Sequence, residues 1–320
     1  MAEPQPEPDD RALAAALARA LPPPVQVLAR RPSPYASSFP LVELEVTTGD
    51  GARLTLVWKD LTPTALLDGA RLARGGAAPD PARELRAYEL LDGAGLGTPQ
   101  RVAAVHEPDR AWLFLEAVRG ARLEHVGDQD AWKDAARWLA RAHRVLAARA
   151  DALADPAWPP AWTPPPDPAG AASLGPALDA ARARVAALPA AIVHGELYAT
   201  NVLIADDDRR SEHPGGAQNV GHQRRVCALD WETIARGPAL LDLAALTAGR
   251  WDEPGEPLAE AYRAALAAPP PRDAFLADLD ACRMLVAAHW LAAPAGWSPP
   301  PEQARDWLAD AELIAARMGA

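Results

Sequence analysis

The segment Ile192-Val-His-Gly-Glu-Leu-Tyr-Ala-Thr-Asn-Val-Leu-Ile204 holds the residues best suited to chemistry. An apolar stretch runs into His194-Gly195-Glu196, four residues intervene before Asn201, and a second apolar stretch begins at once. Further on, Val226-Cys-Ala-Leu229 runs into Asp230-Trp231-Glu232. Phosphoryl transfer from ATP asks little covalent chemistry of a protein. It needs a carboxylate to take the acceptor hydroxyl's proton, and oxygen ligands for magnesium. Glu196, then the Asn201 amide five positions on, then Asp230 at the end of the next strand, would supply these groups in one small volume.

These groups need strands and helices to hold them. Asp9 and Asp10 can cap a helix over 11–21, which Pro22–Pro24 then stops. Val42, Leu44 and Val46 alternate with Glu43 and Glu45, the period of two of a half-buried strand. Gly49-Asp50-Gly51 makes a turn, and Arg53–Trp58 alternates again with Leu54, Leu56 and Trp58 on one face. Lys59 then falls on the other face, and is expected to be an exposed cleft lysine that contributes little to the core. The pattern predicts a helix over 81–91 and strands over 102–105 and 112–115. From Ala131 the character changes: Trp132, Ala135, Ala136, Leu139, His143 and Leu146 recur at helical spacing, and helices dominate most of the remainder. Strand-like stretches at 191–204 and 226–230 interrupt this half. Between them lies a polar segment of roughly 20 residues, a length typical of functional or disordered loops.

The order Glu196, Asn201, Asp230 has the spacing of the kinase sequence H-R-D-x-x-x-x-N followed by D-F-G. The form His-Gly-acid with Asp-Trp-Glu downstream, then Gly237-Pro238 and Asp242-Leu243-Ala244, resembles the aminoglycoside phosphotransferase and choline kinase family. Lys59 at a strand end, Glu84 in the following helix, Leu113–Gly120 and Leu139–His143 extend the likeness from about residue 30 to 250. The resemblance implies an α+β, two-lobed protein-kinase-like fold with the nucleotide site between the lobes. Residues 1–118 would form a small sheet-rich N-lobe. Residues 119–320 would form a larger helical C-lobe with the catalytic loop and acceptor site. It implies that Lys59 contacts the nucleotide phosphates, steadied by Glu84, and that the backbone around Glu116–Val118 meets the adenine edge. Glu196 would orient or deprotonate the acceptor hydroxyl, Asn201 and Asp230 would hold Mg2+, and His194 and Asp242 would fix the loop. The implied function is an ATP- and magnesium-dependent phosphotransferase acting on a small-molecule hydroxyl, such as an aminoglycoside, amino alcohol or sugar.

Two positions depart from the family. It usually has aspartate where this chain has Glu196, whose extra methylene moves the carboxylate, and displacements of about 1 Å matter in catalysis. No glycine-rich phosphate loop precedes Lys59; Ser33-Pro-Tyr-Ala-Ser-Ser38 stands there instead. A nucleotide-binding but silent kinase-like protein, acting as a partner or regulator, is therefore the alternative.

Composition narrows the choice. A net charge of −11 over 320 residues argues against a nucleic-acid partner, which needs basic surface. Two cysteines support neither a disulfide framework nor a four-ligand zinc site, and the histidines show no ligand spacing. The acidic, Pro-rich start and the lack of a long apolar run point to a cytoplasmic protein without membrane spans. Trp251, Trp290, Trp297 and Trp307 could build an aromatic box for a quaternary ammonium, although such residues more often build core.

Overall fold

The computed structural model describes residues 8–35, 38–74, 79–150, 155, 157–205, 225–251, 256–294, 296–298 and 304–319. The polar segment 206–224, with Asp206–Asp208, His213 and His222, lies outside them. The chain divides into two compact units. One comprises Met1–Gly93, Pro99–Val118 and Pro294–Trp297; the other comprises Ala94–Thr98, Arg119–Ala293 and Ser298–Ala320.

In the first unit Asp9 caps α1 (Asp10–Leu17), its Oδ1 accepting the Ala12 N–H at 2.8 Å. The helix closes at Leu17 and not at Leu21, residues 19–21 winding on as turns whose N–H groups donate to Ala16 and Leu17. Strands β1 (Gln26–Pro32), β2 (Leu41–Thr47) and β3 (Arg53–Asp60) follow. Then come α2 (Asp68–Ala73), α3 (Pro81–Leu91), β4 (Arg101–Glu107) and β5 (Arg110–Glu116). The five strands form one antiparallel sheet in the order β1-β2-β3-β5-β4. Val42, Leu44, Val46, Leu56, Trp58 and Phe114 pack beneath Leu13 and Leu17 of α1, so the predicted alternation of β2 and β3 does face a core. Asp80 Oδ1 caps α3 by accepting the Ala82 N–H at 3.0 Å, with Pro81 opening the first turn, where its missing N–H costs nothing.

The second unit begins with β6 (Ala121–Arg122) and α4 (Gln129–Ala150). It continues through α5 (Gly175–Ala186), β7 (Ala190–Val193), β8 (Val202–Ala205), β9 (Arg225–Ala228) and β10 (Ala235–Pro238). Helices α6 (Leu240–Leu246), α7 (Glu256–Ala264), α8 (Arg272–Leu291) and α9 (Trp307–Met318) complete it. β6, β8 and β9 form one small antiparallel sheet, and β7 with β10 a second. α4 buries Trp132, Ala135, Ala136, Leu139, His143 and Leu146, the apolar stripe expected of it. Residues 94–98 pack with the second unit. The Leu96 carbonyl accepts the Trp138 Nε1–H at 2.6 Å, Gly95 binds Arg141 and Gly97 binds Arg225, which tie this turn to α4 and β9.

Candidate active site

The second unit brings Glu196, Asn201 and the Asp230 turn together. β7 delivers the chain to His194, a 3-10 turn over Ala199–Asn201 reverses it, and β8 leaves antiparallel to β9. The Glu196 carbonyl accepts two bonds across this reversal, from the Tyr198 N–H at 2.8 Å and from Asn201 Nδ2 at 2.9 Å. The Asn201 carbonyl in turn accepts the Leu229 N–H at 2.8 Å, which fixes the turn beside the residue preceding Asp230. With its Nδ2 spent on Glu196, the amide of Asn201 keeps its Oδ1 for a ligand.

Two buried side chains hold this loop. The carboxylate of Asp242, in α6 and 1% exposed, accepts the N–H groups of His194 and Gly195 at 2.7 and 2.9 Å. It also meets His143 Nε2 of α4 at 3.0 Å, and the other nitrogen of that ring meets the Tyr262 hydroxyl at 2.9 Å. His143 is thus a satisfied core histidine. His194 Nε2 lies 2.8 Å from the Leu229 carbonyl, which can only accept, so Nε2 carries the proton and Nδ1 accepts the Glu196 N–H. Burial against Trp231, ring centroids 4.5 Å apart, pushes the His194 pKa below its ordinary value despite the pull of Asp242 and keeps the ring neutral. Gly195 sits at φ +92, and a side chain there would strike the Thr233 carbonyl. The sequence form His-Gly-acid is therefore a backbone requirement as well as a chemical one.

Asp230 has φ 63, and it is the one described non-glycine residue with positive φ. That conformation costs of order 1–3 kcal/mol and persists where surrounding structure imposes it, often at functional sites. Asp230 and the buried Glu232 offer carboxylate oxygens within 4.8 Å of each other. These two carboxylates, with an amide oxygen available on the adjoining Asn201 turn, are hard oxygen donors of the kind that could hold a magnesium ion. Glu232 was named in the sequence only as part of the Asp-Trp-Glu form; its burial beside Asp230 was not visible there.

In the first unit Lys59, on β3, forms an ion pair with Glu84 of α3 at 2.8 Å. The expectation of an exposed lysine is corrected: Lys59 is 6% exposed and Glu84 2%. Lys59 does lie on the sheet face away from Trp58, but α3 covers that face and Phe39 packs 5.9 Å from the ammonium. Glu116 closes β5, its N–H donating to Gln100 and its carboxylate accepting the Gln100 N–H. The Ala117 N–H donates to Thr55, whereas the Val118 N–H has no hydrogen-bond partner among the described residues. The Ser33 hydroxyl accepts the Tyr35 N–H in a local turn, and Ala36 and Ser37 lie outside the described residues.

A cavity of about 470 Å³ opens beside the Tyr198–Thr200 turn in the second unit, walled also by Trp132, Arg250, Trp290, Arg305 and Trp307. The Trp290 Nε1–H donates to the Tyr198 hydroxyl at 2.6 Å, and burial, with nearby Glu196, pushes that hydroxyl's pKa up. Of the four C-terminal tryptophans, Trp251, Trp290 and Trp307 cluster, Trp290 and Trp307 stacking at 5.4 Å. No local pattern in the sequence marked Arg250 or Arg305 as wall residues.

No protein-family model and no curated protein sequence matches the chain. Solved structures do. Choline kinase LicA from Streptococcus pneumoniae matches with a TM-score of 0.55 at 13% identity, over 97% of this chain and 98% of that one. The GDP complex of wild-type aminoglycoside 2'-phosphotransferase-IIIa matches with a TM-score of 0.53 at 10% identity, over 97% and 98%. The chain has the α+β fold of these small-molecule kinases. At such identities the likeness concerns the fold, and chemistry has to be argued from the residues. No described helix is long and apolar enough to cross a membrane.

Proposed function

We propose that this protein transfers the γ-phosphoryl group of ATP, with magnesium, to a hydroxyl group of a small molecule. The observation that carries the proposal is the bonded junction of Glu196, Asn201 and the strained Asp230 turn in a chain with this fold. Asn201, Asp230 and Glu232 would hold the metal, which supplies charge neutralisation at the phosphates when bound. Lys59, set by Glu84, would contact the phosphates, and the backbone around Glu116–Val118 would meet the adenine edge through the Val118 N–H. In the step itself the acceptor oxygen bonds to the γ-phosphorus while the bond from that phosphorus to the bridging oxygen breaks. The hydroxyl proton passes to the Glu196 carboxylate and ADP departs. Bracing by Asp242 and neutral His194 holds Glu196 in place through that exchange. A reaction of this kind, fed by ATP, would take place in the cytoplasm.

The alternative, a silent nucleotide-binding protein, draws its support from the longer side chain of Glu196 where the resembling family has aspartate. Calorimetric titration with ATP tests what both readings share: affinity is expected with MgCl2 and lost with EDTA. Asp230→Asn should weaken the magnesium-dependent part at least 10-fold. Equal affinity with and without EDTA would remove the metal assignment. ATP turnover then separates the enzyme from the silent protein.

A further inference from the structure

The wall of the cavity beside the Tyr198–Thr200 turn carries two guanidinium groups, those of Arg250 and Arg305. Arg250 lies over the Trp132 ring at 4.0 Å and Arg305 over the Trp307 ring at 4.8 Å. Arg305 is further held against Gly249, which has φ +85 and where any side chain would fall on the guanidinium. Arg305 Nε meets Asp310 at 3.2 Å, which leaves its Nη groups with no partner among the described residues. Arg250 makes no ion pair among the described residues. One carboxylate, Glu124, also lines the cavity, but it lies 3.8 Å from both Arg122 and His125. With Arg305 paired to Asp310 and Glu124 flanked by Arg122, Arg250 is the wall guanidinium left without a carboxylate partner among the described residues, in a chain of net charge −11.

Cation–π stacking engages the same aromatic faces a quaternary ammonium would need, and here arginines of the chain already cover Trp132 and Trp307. A guanidinium held over an indole keeps its N–H donors, which can grip carboxylate or phosphate oxygens two at a time. Holding the ring-stacked guanidiniums in place beforehand spares the ordering cost of binding. We infer that this cavity takes the acidic group of the acceptor, which is therefore an anionic alcohol bearing a carboxylate or phosphate, and not a quaternary amine or a polycationic sugar. That the bound acid is an acceptor rests on the phosphotransferase reading; the anion site does not. A volume of about 470 Å³ accommodates a compound of sugar-acid size.

The test is a calorimetric titration of the full chain with D-gluconate, glycerol 3-phosphate, glycerol, choline and kanamycin, each with ATP–magnesium binding measured separately. Gluconate or glycerol 3-phosphate is expected to bind, the tighter of the two identifying the acidic group, with affinity falling as NaCl is raised. Arg250→Gln should weaken that binding at least 10-fold, and Glu124→Gln should preserve or tighten it. Thermal melting of both variants confirms that each is folded. Tighter binding of choline or kanamycin than of either acid, no binding of either acid at millimolar concentration, or equal acid affinity in a folded Arg250→Gln variant overturns the inference. Acid binding with no ATP binding would uphold the anion site and remove the kinase reading; ATP binding with neither acid bound would remove the anion site and leave the nucleotide reading standing.

Discussion

Replacing Lys59 by Met tests the placement of the first unit's charged pair. The two side chains are 8% and 2% exposed and their charged atoms lie 2.8 Å apart, so solvent screens them little. Met keeps the length and apolar stem of Lys but leaves the Glu84 carboxylate of α3 buried without the ammonium that stood 2.8 Å away. Breaking a buried pair on one side costs about 3–5 kcal/mol, chiefly because the remaining charge stays desolvated. Glu84→Gln should cost less, since a neutral amide tolerates burial better. The double variant Lys59→Met/Glu84→Met should lose less than Lys59→Met alone, because two apolar side chains leave no orphaned charge. Urea unfolding of the full chain measures the three losses, and hydrogen exchange in peptides from β3 and α3 assigns them to the first unit. A loss below about 1 kcal/mol for Lys59→Met, the range of a surface pair, would refute this reasoning. So would a double variant that loses as much as Lys59→Met alone, or more.

Asp242→Asn replaces one acceptor oxygen of the loop brace by a donor facing N–H groups; it should cost about 2–3 kcal/mol of stability, read by urea unfolding, since charged acceptors of buried bonds are worth roughly that much. Burial holds His194 and His289 below their ordinary pKa, so the unfolded chain takes up protons that the folded chain refuses. Stability should therefore be full above the unfolded histidine pKa of about 6.5 and fall as pH drops below it. Melting temperatures at pH 7.5 and 5.5 check this, and a flat profile counts against the buried neutral ring. Ala205 and Arg225 are cross-strand partners of β8 and β9. Replacing 206–224 by a short Asn-Gly turn should therefore leave melting within a few degrees, since loop length changes closure entropy slowly; loss of folded protein would show that the segment is needed.

Legibility followed the periodicity of burial. α3 spans the residues its pattern indicated, and α4 buries the apolar stripe read from the chain, because both helices have one face on a core. β2 and β3 alternate for the same reason. β1 went unread: it is an edge strand, largely exposed on both faces, and Leu28 is 47% exposed. The spacing of Glu196, Asn201 and Asp230 was readable because the loop before β8 and the turn after its partner β9 hold all three. Lys59 was placed on the right face, but its burial depends on Phe39 and α3, which no alternation in β3 reveals. The bonds from Asp242 to the loop join residues 47 and 48 positions apart. Arg250 and Arg305 meet the cavity only through the packing of helices distant in sequence. Such partners leave no local pattern.

The most direct measurement follows the γ-phosphoryl group itself. The chain is incubated with γ-labelled ATP, magnesium and a panel of hydroxylated compounds that includes hydroxy acids, sugar acids and sugar phosphates. Phosphotransferase activity should yield a labelled phosphate ester from at least one compound. Glu196→Gln should slow its formation by about 10²-fold or more, the range of general-base catalysis, at unchanged ATP affinity. Bound ATP–magnesium with no labelled ester from any compound, or a Glu196→Gln variant as fast as the parent, would contradict the proposed chemistry.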